Sequence, residues 1–433
     1  MGKISRPVRA EINLDNIRYQ IHSIRRQVGD KSQIMAVVKA DAYGHGALEV
    51  SQAALEAGAE RLAVALPEEG AELRAAGFEV PIQVFGETLA DQTELLVKYD
   101  LIPTLCRVDS VREISRLVRE GKWQQRQPAK TGALQDKSRQ NTGKFPVVVK
   151  VDTGMGRLGI EPEEVPAFLG LIEEQDNLRV ESLMTHFSTA DEADKSYTRK
   201  QWQRMQRAVE LLKEKSSRGK SGKEKPRKEK SGREMSGKEM SGGNKSGRKK
   251  SGRNAGLPQL QVANSATIID LPELALDIVR PGIMLYGLPP SREVDLDFKL
   301  KPVMSLKAGI TYLKRVPPGT AISYGATYVT EGEELIATLP LGYADGYPRL
   351  LSNRGEVLVG GRRCPIRGRV CMDMIMVDVS GVPGVEVGSE AVIIGSQGEE
   401  EITATEIAEL TDTINYEITC GISSRVPREY LNR

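Results

Sequence analysis

A chain of 433 residues, 39% hydrophobic and 28% charged, is too long for one small core, has no apolar run near the ~20 residues a bilayer demands, and reads as a soluble two-domain protein. Its net charge of +2 is a local effect: residues 213–253 carry 16 Lys+Arg against 5 Asp+Glu, which leaves the rest of the chain near −9 and makes nucleic acid an unfavoured partner. Cys106, Cys364, Cys371 and Cys420 show neither zinc nor disulfide spacing, so no metal is expected, and an opening stretch without an apolar leader points to the cytoplasm.

In chain order, short apolar runs at 34–38, 62–65, 82–85, 102–105, 147–151, 180–184, 260–263 and 278–285 have strand length. Amphipathic patterns at 47–57, 67–76, 109–120, 165–174 and 198–213 lie between them and repeat apolar residues at helical spacing. Eight such β-then-α units favour an α/β fold, a (β/α)8 TIM-type barrel over residues 1–300, ahead of an open doubly wound sheet. Polar stretches interrupt it at about 124–144 and 214–255. The second repeats Ser-Gly-Lys/Arg, as in Ser221-Gly222-Lys223 and Ser251-Gly252-Arg253. With almost no apolar residues it cannot offset its own ordering entropy, so it reads as a surface insertion.

From about Lys301 the texture changes. Short β-rich runs at 305–313, 335–341, 356–359, 362–366, 374–379 and 390–394 are separated by Gly and Pro turns, and the next helical pattern is 404–410. Residues 301–433 are therefore expected to form a C-terminal all-β domain.

Several barrel strands end in polar residues that a buried strand has no structural use for: Lys39, Lys150, His186, Asn264 with Ser265, and Arg280. Barrel active sites gather at the C-terminal ends of the strands, so these residues should converge on one mouth. Lys39 leads into Tyr43-Gly44-His45-Gly46, whose glycines let backbone approach a ligand closely. A partly desolvated lysine there has a depressed pKa and becomes a competent amine.

The run Val38-Lys39-Ala40-Asp41-Ala42-Tyr43-Gly44-His45-Gly46 resembles the cofactor-attachment signature of the alanine racemase family. So do Lys150-Val151-Asp152-Thr153-Gly154-Met155-Gly156-Arg157, Thr185-His186-Phe187, Ala263-Asn264-Ser265, Arg280-Pro281-Gly282-Ile283, Ser323-Tyr324-Gly325, Cys371-Met372-Asp373 and Asn415-Tyr416-Glu417. The resemblance spans the chain apart from the two insertions. It implies an isomerase that interconverts L- and D-alanine with pyridoxal 5'-phosphate and supplies D-alanine for peptidoglycan. Lys39 would hold the cofactor as a Schiff base and serve as base for the D-isomer, and Tyr324 as base for the L-isomer. His186 and Arg280 would assist, Arg280 facing the pyridine nitrogen where many such enzymes place a carboxylate. An arginine cannot accept that nitrogen's proton, so the ring withdraws fewer electrons and side reactions are limited.

The same resemblance gives the phosphate Tyr43, Ser265, Tyr416 and the amides of Gly282 and Ile283, with Asn264 beside them. Arg157 and Met372 would meet the substrate, and Lys150 would be open to carbamylation or simply paired with Asp152. Tyr324 and Met372 would come from the second subunit of a homodimer with shared sites. Tyr343, Asp191, Arg349 and Arg369 would line the entrance. The competing readings are a serine or broad-specificity racemase, a decarboxylase on the same fold, and a non-catalytic pyridoxal-phosphate carrier. Tyr324 with Cys371-Met372-Asp373 speaks against the decarboxylase, and the extra β domain against the carrier. Serine is harder to separate from alanine, because one hydroxyl adds little volume.

Overall fold

The computed structural model describes residues 7–123, 143–221, 257–294 and 299–433. Most of both expected insertions falls outside these residues. The helix Ser196–Ser221 runs past the expected start of the second insertion at 214, so the barrel scaffold extends further than the sequence pattern suggested.

Eight parallel strands form the first layer, in the order Gln259–Gln261, Leu178–Met184, Phe145–Lys150, Ile102–Leu105, Ile82–Val84, Arg61–Val64, Gln33–Val37 and Ile278–Val279. The ends meet where the Arg280 amide donates to Ala263 O at 3.0 Å, which nearly closes a (β/α)8 barrel. All eight expected strands are present. The last is much shorter than 278–285, because Pro281 removes an amide donor and Gly282 turns the chain into the 3-10 turn Ile283–Tyr286.

Inside the barrel a small apolar cluster, Ile102, Val148 and Met184, is joined by the fully buried Arg61–Glu181 pair, at 2.5 Å, which stands beside Gln33. Buried Gln83 and Gln261 continue this polar level, bonded to each other and to Thr104 and Ser182.

Two corrections concern the second domain. The strand Val8–Asn13 pairs with Met304–Gly309 and with Arg428–Leu431, so the N-terminal strand belongs to the second domain's sheet and not to the barrel. Its Val8, Ala10 and Ile12 are fully buried and alternate with part-exposed residues, the pattern of a half-buried strand. The domain is also not all β. Its helix Asn415–Gly421 packs on the Lys39–Gly44 segment, and a Cβ on Gly44 would come within 2.2 Å of Thr419 O. The run 305–313 divides into Met304–Gly309 and Tyr312–Val316, which join different sheets. A two-stranded hairpin, Ala321–Ile322 with Tyr328–Val329, carries Tyr324 at its tip.

A candidate active site at the barrel mouth

Directly after the strand Gln33–Val37 the chain makes a turn of the wrong hand. Ala40, Asp41, Ala42 and Tyr43 all have φ between +50° and +54°. For residues bearing a Cβ this costs roughly 1–2 kcal/mol each, so the turn persists only because neighbours over-determine it. Glu69 Oε1 accepts from the Ala40 amide at 2.6 Å, while its other oxygen takes the Ala65 and Leu66 amides. Asp41 Oδ1 accepts from Ala47 N at 2.8 Å, and Arg428 Nε donates to Gly44 O at 3.1 Å. The effect is to swing Lys39 and Tyr43 into a cavity of about 840 Å³ at the C-terminal ends of the barrel strands.

That cavity collects Lys39, Tyr43, Lys150, Arg157, His186, Asp191, Asn264, Ser265, Arg280, Gly282, Ile283 and Tyr416, twelve residues the sequence singled out. They arrive from separate strand ends and, in the case of Tyr416, from the second domain's helix Asn415–Gly421. Burial lowers the Lys39 ammonium pKa, and the nearby Arg157 charge lowers it further. Lys150 falls to about 8 through burial and the Arg280 charge, and its Nζ donates to Val151 O at 3.3 Å. Asp152 acts on it through charge, raising its pKa, while Asp152 Oδ1 accepts from the amides of Gly154, Met155 and Gly156, shaping the turn that presents Arg157. His186 lies well below its ordinary value, first through burial and then through the charges of Arg280 and Arg157, so its ring is neutral near pH 7.

Arg280 is fully enclosed, and burial pulls it down to about 9, still cationic at neutral pH. Its Nη2 donates to Thr185 O at 2.8 Å, while buried Nη1 has no partner. A buried guanidinium N–H without an acceptor is costly, and an acceptor atom of a ligand would satisfy it. In the same cavity Ser265 Oγ accepts from Gly282 N at 2.9 Å, with Met284 N at 3.5 Å. A Cβ on Gly282 would sit 2.7 Å from the Tyr43 hydroxyl, so only glycine keeps this small cradle of hydroxyls and amides open. An unpartnered guanidinium N–H and an anion cradle in one cavity fit a ligand that carries both an acceptor nitrogen and an anionic group, as pyridoxal phosphate does. Asn264 lines the wall, but its side chain caps the helix Ser265–Asp270 through Thr267 N and reaches Phe187 O at 3.4 Å.

The remaining expected residues lie outside this cavity. Tyr324 is 72% exposed and Met372 52% exposed, while Tyr343, Arg349 and Arg369 are also on the surface. Tyr324, Met372, Tyr343 and Arg369 form one patch: Ser323 Oγ donates to Arg369 O, Tyr343 N donates to Cys371 O, and Ala344 N donates to Met372 O. Of the expected entrance residues, then, Asp191 lines the cavity within one chain, and Tyr343, Arg349 and Arg369 do not.

Three residues that shape the site escaped the sequence reading. Glu69 follows Pro67 at a helix start, a capping signal that says nothing of its reach to Ala40. Gln201, fully buried, ties Thr153 to His186 O and Ser188 N across two active-site loops. Cys420 lines the cavity near Lys39 with no local signal at all.

A barrel mouth bearing a lysine, a buried arginine and an anion cradle, roofed by a helix from a β-rich domain, defines a two-domain barrel enzyme. The family model described as alanine racemase, N-terminal domain, matches residues 12–221 and 248–290, and that described as alanine racemase, C-terminal domain, matches 303–430. The chain is 48% identical to the alanine racemase of Halothermothrix orenii over 431 residues, covering 100% of this chain and 98% of that protein. It is 44% identical to that of Desulforamulus reducens, covering 98% of this chain and 99% of that protein. Among solved structures it resembles alanine racemase from Clostridium difficile 630 (TM-score 0.80, 35% identity, 99% of this chain and 97% of that one). It also resembles alanine racemase from Bartonella henselae with covalently bound pyridoxal phosphate (TM-score 0.77, 25% identity, 99% and 100%). The chain belongs to the alanine racemase family, a family of isomerases. Among the described residues no helix is long and apolar enough to cross a membrane, and no group of three or more His, Cys, Asp or Glu could hold a metal ion.

Proposed function

We propose that this chain racemises alanine with pyridoxal 5'-phosphate held at the barrel mouth, and that it does so as a homodimer with shared sites in the cytoplasm. The observation that carries the reading is the single cavity that joins the Lys39 amine, the unpartnered Nη1 of Arg280 and the cradle at Ser265 and Gly282. When bound, the cofactor withdraws electrons from the substrate's α-carbon and so acidifies its C–H bond. Everything else falls to the chain.

Lys39 supplies the attachment amine, and its lowered pKa keeps more of it in the free-base form that can bind and move a proton at Nζ. The Tyr43 and Tyr416 hydroxyls, Ser265 Oγ and the amides at Gly282 and Ile283 would hold the phosphate. Arg280 would offer the pyridine nitrogen an N–H and no acceptor, so that nitrogen would gain no proton from the protein. Arg157 holds the substrate carboxylate. Lys150, with a pKa of about 8, carries enough neutral amine to take up carbon dioxide, and the resulting carbamate would accept from Arg157.

Racemisation requires a second acid/base group on the far face of the α-carbon. The family's candidate for that role, Tyr324, lies outside this chain's cavity, exposed on a hairpin tip. The partner subunit's Tyr324 moves the proton at its Oη, with Met372 beside it and Tyr343, Arg349 and Arg369 completing the entrance. The test is deuterium wash-in at the α-carbon of L- and D-alanine by the reconstituted dimer, with serine run alongside. Bound cofactor without exchange on alanine would reduce the protein to a carrier, and faster exchange on serine would reassign the substrate.

A further inference from the structure

We propose that His45 is a positioning residue: its ring locks the left-handed turn after Lys39, and through that turn it holds the Tyr43 hydroxyl over the Ser265–Gly282 cradle. The inference rests on the reading that the cavity takes pyridoxal phosphate. It concerns how tightly the phosphate end is held, not which residues exchange protons.

His45 Nδ1 lies 3.0 Å from both Ala42 O and Tyr43 O. Carbonyl oxygens only accept, so Nδ1 carries the proton and donates to two carbonyls of the left-handed turn at once. The other ring nitrogen, Nε2, is buried without a partner on a residue of zero exposure. An apolar residue would fill that space without an orphaned acceptor, so what the histidine contributes here is its one N–H. Burial lowers its pKa to about 4, against two backbone carbonyls that raise it and the Arg428 charge that lowers it, which keeps the ring neutral.

The ring also heads a stack. His45 and Tyr286 have centroids 4.6 Å apart, Tyr286 and Tyr43 4.8 Å, and Tyr43 and Tyr416 6.0 Å. Tyr286 Oη donates to Val37 O at 2.8 Å, two residues before Lys39. The stack therefore grips the turn from its strand side, and His45 grips its carbonyls from the far side. Ala42 and Tyr43 sit at φ +53° and +54°, and a peptide released there would relax toward negative φ and carry the Tyr43 ring away from Gly282.

The experiment titrates cofactor-free dimer with pyridoxal phosphate and follows the absorbance of the bound form, for the parent, His45→Asn, His45→Leu, and His45→Leu combined with Tyr43→Phe. His45→Leu should weaken binding ~10-fold or more, while His45→Asn, which retains an N–H near Nδ1, should stay within about threefold of the parent. In the Tyr43→Phe background the leucine effect should shrink below about twofold, because the hydroxyl it acts through is already gone. Equal losses in the Asn and Leu variants, no loss in Leu, or an undiminished loss in the Tyr43→Phe background would each overturn the assignment. Should the Leu variant fail to fold, a tenfold loss in His45→Asn overturns it and retention supports it. A parent that takes up no cofactor removes the underlying reading and this one with it.

Discussion

The barrel mouth and the Tyr324 hairpin are two halves of one proposed site, built in opposite ways. The mouth is enclosed and pre-set: Arg280 is fully buried, Glu69 and His45 clamp a turn of unfavourable hand, and Ser265 is already bonded to the amide of Gly282. The hairpin half is rigid in backbone, with Ser323 tied to Arg369 O, yet its Tyr324 side chain faces outward at 72% exposure. The buried half bears its desolvation costs before anything binds, Arg280 Nη1 among them. The exposed half has its surroundings still to be supplied, and the family reading makes a second subunit the supplier. On the proposed reading one chain holds the cofactor, and the proton relay across the α-carbon takes two.

The comparison breaks most sharply at Lys39. Lys39→Ala should lower racemisation by roughly 10³-fold or more in both directions, since the attachment point and one proton carrier vanish together. Mixing this variant with Tyr324→Phe under conditions that exchange subunits should then restore about a quarter of parental sites. Half of the random dimers are mixed, and each of those holds one intact site. Activity that stays absent after confirmed exchange would mean both halves belong to one chain.

Alone, Tyr324→Phe should cost roughly 10²–10⁴-fold in proton removal from L-alanine, with wash-in at the D-isomer's α-carbon much less affected. Equal losses in the two directions would contradict one-sided roles.

Lys150 sharpens the electrostatic side of the comparison. Its folded pKa of about 8 lies below the ordinary 10.5, so the fold disfavours its charged form. The penalty is complete below about pH 8 and fades as pH rises toward 10.5, where the unfolded chain also loses the proton. In carbonate-free buffer, Lys150→Met should therefore exceed the parent in stability by roughly 3 kcal/mol near pH 7, with the gap closing toward pH 10.5. Chemical denaturation across that range measures it, and a constant gap would show that the lysine is not held as a destabilised cation.

The smallest effect belongs to the turn itself. Ala40 is exposed at φ +53°, so Ala40→Gly should stabilise the protein by up to about 1 kcal/mol in the same assay. A loss instead would mean that the turn is not strained at that position.

The barrel was legible because its strands are short apolar runs, several of them ended by a polar residue: Lys39, Lys150, His186, Asn264 and Arg280. The strand Val8–Asn13 was equally patterned, with Val8, Ala10 and Ile12 inward, but its partners lie about 300 and 420 residues away and no local signal names them. The left-handed turn was illegible for a different reason. Ala40-Asp41-Ala42-Tyr43 contains no glycine, and its hand is imposed by Glu69, His45 and Arg428 from outside the segment. Tyr324 and Met372, and their place outside their own chain's cavity, were expected from resemblance, and no local pattern in the sequence carries either. Asp152 shows the same limit: sequence proximity suggested its charge interaction with Lys150, but nothing local announced the three loop amides that its Oδ1 gathers.

The N-terminal strand has a consequence for biogenesis. Val8–Asn13 leaves the ribosome before the barrel is made, yet it is flanked in its sheet by Met304–Gly309 and by Arg428–Leu431, which follow the barrel. It must wait unpaired while the whole barrel is synthesised, exposing an alternating apolar edge meanwhile. Once Arg428–Leu431 docks beside it, the barrel is tethered to its companion domain at two points rather than one. Such a double tether resists the hinge motion that a single linker would allow, and it ties completion of the helix roof over Lys39 to the arrival of that strand.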